Sequence, residues 1–128
     1  MEVILLTLEK QILVVNTIVE SLEELIKILK MNTKINDQIH RTIGEIIKFM
    51  GKVLNNFPEM LISKRKVMFT RKEMLQFYND VLKSWESYFD DPESFFLSFY
   101  TFSIIWKDYQ KYISKIEKNA TTIFLSLN

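Results

Sequence analysis

Cysteine is absent from this chain of 128 residues, and glycine and proline occur only twice each. Without cysteine there is no disulfide framework, no thiolate nucleophile and no thiolate metal site, and the composition suits a reducing interior. Strand-rich domains use glycine and proline in their many turns, so scarcity of both disfavours an all-β fold. Histidine occurs once, at His40. One histidine without cysteine falls short of the usual structural zinc sets, and no Glu-x-x-His accompanies it. Ser-His-Asp and Cys-His catalysis therefore have little material, and His40 reads as a surface or boundary residue. Phosphate-cradling loops need glycines in a turn, whereas Gly44 and Gly51 fall inside a helical pattern, which speaks against P-loop and dinucleotide fingerprints.

An excess of either charge is also missing. The formal net charge is +1, so bulk charge points to no partner class. Long uninterrupted apolar runs are missing as well. The opening stretch MEVILLTLEKQILVVNTIVESLEELIKILK is greasy, but a spanning helix needs roughly 20 apolar residues with few charges. Glu9, Lys10, Glu20, Glu23 and Glu24 interrupt it. Glu2 in place of a basic leader, and the lack of a small-residue cleavage site, argue against a secretory signal. The stretch reads as a buried helix of a soluble, cytoplasmic protein.

What remains is an ordinary globular balance, 48% hydrophobic and 26% charged. It fits one domain over residues 1–128 that can bury about two-thirds of its unfolded surface. Leu5, Leu8, Ile12, Val15, Val19, Leu22, Ile26 and Leu29 alternate steps of three and four, a heptad seam predicting a helix over about 3–30. A second row, Ile4, Val14, Ile18, Leu25 and Ile28, widens the apolar face toward that of a bundle core. Asn32, Thr33, Asn36 and Asp37 then offer caps. A second helix, over about 34–56, carries Ile39, Ile43, Ile46, Met50, Val53 and Phe57, and Pro58 stops it.

Gly44 and Gly51 lie on one stripe of that helix. Each costs about 1 kcal/mol against alanine in a helix interior. Close approach of a backbone or an aromatic ring would offset this, in helix packing within the chain or in self-association. A short helix is expected over about 58–68. Thr70 with Glu73 reads as a capping box opening a helix over about 71–89, faced by Met74, Tyr78, Val81, Trp85 and Tyr88. Asp91, Pro92 and Glu93 open the last helix. Its face is Phe95, Phe99, Phe102, Trp106, Tyr109, Ile113 and Ile116, and these rings are expected to fill the room left by the glycines. This helix is expected to fray near Asn119, leaving the apolar tail TTIFLSLN to dock or to pair with another chain.

Two polar groupings remain. Glu86, Asp90, Asp91 and Glu93 cluster at one turn, where they serve capping and solvation, since their spacing is not that of a calcium loop. SKRKVMFTRK holds Lys64, Arg65, Lys66, Arg71 and Lys72 with no acid among them. Such a patch suits phosphates or an acidic protein partner, and Phe69 within it could stack on a base.

The stretch YFDDPESFFLSFYTF resembles the final helices of the formin homology 2 domain. Tyr88, Phe89, Asp91, Pro92, Phe95, Phe96, Phe99 and Phe102 carry the likeness, with Trp106 and the Asn119 region beyond. It covers roughly the last quarter of the chain, lacks residues usual between the Asp-Pro and the double Phe, and belongs to a much longer domain. The resemblance implies an actin-binding helical segment.

The reading adopted is an all-α, compact antiparallel bundle of four to five helices with a long N-terminal helix. Its function is that of a non-catalytic interaction protein, a small regulator or adaptor of the kind a virus or mobile element encodes. It needs no cofactor or metal, takes a protein partner and forms a homodimer. Nucleic-acid binding through residues 64–72 and the actin-binding reading are the alternatives.

Overall fold

In a computed structural model, residues 8–57 and 70–127 are described, with side chains described as far as residue 113. Four helices make up the described residues: α1 (Leu8–Met31), α2 (Asp37–Leu54), α3 (Arg71–Glu86) and α4 (Pro92–Leu127). There is no strand among them.

The local signals act where their chemistry says they should. Asn36 caps α2, its side chain accepting the Ile39 N–H at 2.8 Å. Thr70 caps α3 by accepting the Glu73 N–H at 3.2 Å, and its hydroxyl meets the Glu73 carboxylate at 3.3 Å. Asp91 accepts the Ser94 N–H at 3.2 Å, and Pro92 is the first residue of α4. Each cap satisfies an amide that the first helical turn would otherwise leave without a partner.

Each helix packs on its neighbours in a closed circuit, α1 on α2, α2 on α3, α3 on α4 and α4 on α1. Trp85 and Tyr88 of the α3 end meet Phe95 at the start of α4, whereas Tyr78 meets Phe102. Residue numbers thus rise along α4 as they fall along α3. The same holds between α2 and α3, where Tyr78 reaches Ile47 and Trp85 reaches His40.

The seam expected on α1 is the one the fold buries: Ile12, Val15, Val19, Leu22, Ile26 and Leu29. The second row differs. Val14, Ile18 and Leu25 are only partly buried, and Ile28 is 63% exposed. On α2 the buried row is Ile43, Ile47, Met50 and Leu54, while Ile39 and Ile46 face outward. α2 sits between α1 and α3, so its core side lies between the two directions, and Ile46 turns to the outer edge of the α1 contact.

The aromatic row of α4 is buried from Phe95 to Ile113. Trp85, Trp106, Tyr88, Tyr109, Phe57, Phe95 and Phe102 are its largest enclosed side chains and neighbours. Polar tips of these rings find partners, as buried donors must. Trp106 donates to Asn16 Oδ1 at 2.8 Å, Tyr88 to the Thr33 carbonyl at 2.9 Å and Tyr78 to the Ile47 carbonyl at 2.7 Å.

Two expected boundaries are corrected. α2 begins at Asp37 because Asn36 is its cap, and it ends at Leu54. α4 does not fray near Asn119 but continues to Leu127. Residues 114–127 contain neither glycine nor proline, so nothing in the backbone chemistry stops it. The helix expected over 58–68 lies outside the described residues, as does the side chain of Ile116.

Candidate functional site

Three places carry features beyond core packing: the glycine stripe, the ends of α2 and α3, and the outer face of α1 and α2.

Rings of α3, rather than those of α4, lie against the glycine stripe. Gly44 faces the Trp85 indole, where an added Cβ would sit 3.5 Å from the ring. Gly51 is buried beneath Tyr78, and a Cβ there would overlap the phenol. The Tyr78 hydroxyl threads past Gly51 to the Ile47 carbonyl. Burial pushes this phenol up to about 12, with a smaller opposing pull from the Gly51 backbone, which favours the ionised form. Burial raises Tyr88 as well.

His40 sits at the same α2–α3 contact. Its Nε2–H donates to the Trp85 carbonyl at 2.7 Å, and Trp85 Nε1–H returns a bond to the His40 carbonyl at 3.0 Å. The two rings stack at 4.7 Å, and Phe89 covers the histidine at 4.7 Å. The bond to a carbonyl fixes the proton on Nε2. A cleft of about 330 Å³ opens beside it, lined by Asp37, Arg41, Glu45, Lys48 and Glu86 with Trp85. Its charges are mixed in sign. No group of three potential metal ligands is present among the described residues.

The carboxylates expected to cluster do not converge on a cavity. Glu86, Asp90, Asp91 and Glu93 are exposed, and Asp91 is engaged as a cap. Of the basic stretch, Lys64, Arg65, Lys66 and Phe69 lie outside the described residues. Lys72 is exposed. Arg71 points back to the end of α2 and donates to the Phe57 carbonyl at 3.0 Å and the Asn55 carbonyl at 3.4 Å. Its guanidinium therefore complements the negative end of a helix.

The outer face of α1 and α2 was not picked out by periodicity. Its residues, Val14 and Ile18 among them, read as core. They line instead an open groove of about 620 Å³ with Leu13, Thr17, Thr42, Glu45, Ile46 and Phe49. Leu13 is 64% exposed and Phe49 51%. The hydroxyls along this face are turned inward. Thr17 donates to the Leu13 carbonyl at 2.8 Å, Ser21 to Thr17 at 2.8 Å and Thr42 to Gln38 at 2.9 Å. The groove thereby presents methyls and hydrocarbon, with Glu45 as its one charged lining residue. The sequence signal that could have found it is the excess width of the α1 stripe, which is broader than its two neighbours cover.

Among the described residues no helix is long and apolar enough to cross a membrane. Comparison with protein-family models, with curated proteins and with solved structures finds no match, the formin homology 2 family included.

Proposed function

We propose that this chain is a non-catalytic interaction protein, a small regulator or adaptor that seats an amphipathic helix in the groove between α1 and α2. The observation that carries this reading is the groove itself, an apolar surface at the exposed side of a bundle whose hydroxyl donors are all spent within their own helices. An open apolar groove between two helices is a surface that an amphipathic helix can fill. A protein partner, self-association into a homodimer and an intracellular setting belong to the same reading. The lack of cysteine suits that setting.

The test is affinity capture from the native host with the wild-type chain and with Ile46→Glu and Phe49→Glu. Both positions are exposed, so the fold should tolerate the change. A partner held by the wild type and lost by both variants supports the reading. An identical set of captured proteins for all three chains ends it.

A further inference from the structure

The bundle carries a second exposed apolar feature, on the pole of α4 turned away from the core. Leu97, Tyr100 and Ile104 follow one another at steps of three and four, with Leu97 68% and Tyr100 64% exposed. That spacing puts them in one line on the helix surface. Their geometry is that of the anchors an amphipathic helix presents to a groove.

Charge marks both ends of this line. Glu93 precedes it and Lys107 follows, fourteen residues on, or about 21 Å at the helical rise. Along the outer pole of α1, Lys10 and Glu24 are likewise fourteen residues apart, with Leu13, Thr17 and Ser21 between them. All four charged residues are exposed. Their order is opposite: acid then base on α4, base then acid on α1. A copy of α4 laid parallel to α1 brings Glu93 to Lys10 and Lys107 to Glu24, while Leu97, Tyr100 and Ile104 enter the groove. Within the chain Lys10 is itself engaged, while Glu24 pairs with Lys27 at 3.0 Å and Lys107 with Glu23 at 3.7 Å. Both are exposed pairs of the kind that contribute little, so exchanging them is nearly neutral.

We infer that the α1/α2 groove of one copy receives the outer stripe of α4 from a second copy, in a head-to-tail contact. The inference rests on the groove reading above and names its occupant. Groove and stripe are different surfaces of one chain, and paired head to tail, without the reciprocal contact, they make a heterologous interface. It leaves one groove and one stripe open in a pair, and further copies can add unless the arrangement closes into a ring.

Light scattering after size exclusion tests this, with Phe49→Glu to disable the groove and Leu97→Glu to disable the stripe. Circular dichroism and melting check that both variants fold. Where Glu disturbs folding, Phe49→Ser and Leu97→Ser carry the same logic. The wild-type mass should rise with concentration. Each variant alone should associate at least about tenfold more weakly, the loss expected for a central anchor. An equimolar mixture of the two should recover a one-to-one pair that stops at two chains, because only one intact groove and one intact stripe remain. A Leu97→Glu chain that still associates by itself overturns the inference and points to groove-on-groove pairing. A mixture that stays monomeric overturns it as well. A wild type that is monomeric throughout overturns it too, while capture of a foreign helix is still decided by the host experiment.

Discussion

Tyr78 and Gly51 form the tightest side-chain contact that the fold places on a glycine, and the two glycines of α2 should respond oppositely to the same change. Gly51→Ala drives a methyl into the Tyr78 ring and is expected to destabilise by about 1–3 kcal/mol, as overpacking of a full core does. Gly44→Ala places its methyl 3.5 Å from Trp85, an ordinary contact. It should be neutral or stabilising by up to about 1 kcal/mol, because alanine favours the helix. Urea unfolding of the two variants checks the pair, and equal effects would show that Tyr78 does not sit over Gly51.

The same phenol sets an alkaline limit. Its value is raised from 10.0 to about 12 by burial, so the folded state prefers the neutral form more than the unfolded chain does. The stability this contributes is complete below pH 10.0 and is lost as pH climbs toward about 12. Unfolding followed by circular dichroism across that window should coincide with a rise in phenolate absorbance. Tyr78→Phe should flatten the part of the slope that belongs to this residue.

Helix ends and contacts between helices come next. Thr70 caps α3, and its hydroxyl also meets the Glu73 carboxylate, so Thr70→Ala should lower stability by about 1 kcal/mol, read from the urea midpoint. Arg71, one step on, ties the start of α3 to the carbonyls that follow α2. Arg71→Gln should destabilise by about 1.5–3 kcal/mol, the range for hydrogen bonds to a charged group, where a purely surface cation would give almost nothing. This sorts Arg71 from the basic stretch in which its sequence neighbours place it. Between α2 and α3 the reciprocal bonds of His40 and Trp85 act as a clasp at the opposite end from Arg71. The two fastenings hold α3 at both ends of α2, and the ring contacts with Gly44 and Gly51 fill the length between.

For the assembled bundle, the argument concerns which surfaces are left without a neighbour. α1 is covered by α2 on one side and α4 on the other, and its widest apolar face exceeds what they cover. α4 is covered by α3 and α1, and Leu97, Tyr100 and Ile104 remain outside. Hydrocarbon left in water at two separate places favours association. In a thermal melt, the wild-type midpoint should therefore rise with protein concentration, by mass action, whereas that of Phe49→Glu should not. A wild-type midpoint independent of concentration would remove self-association as a stabilising influence.

Periodicity and end signals went a long way here. The α1 seam, the caps at Asn36, Thr70 and Asp91 and the aromatic row of α4 are all matters of spacing and residue type. Such features act within a few residues of the chain, so they are visible in one dimension. Which of two apolar rows becomes core is not visible there. Val14, Ile18 and Ile46 have the hydrophobicity of core residues, and they line a groove only because α3 lies across the bundle from α1 and no fifth helix among the described residues covers them. Likewise, glycine spacing announced that some ring would come close. That it is Tyr78 and Trp85 of α3 follows from the circuit in which the helices are arranged. A side chain's own chemistry sets its preference for burial, but the neighbours that grant or refuse that burial are assigned by contacts between distant parts of the chain.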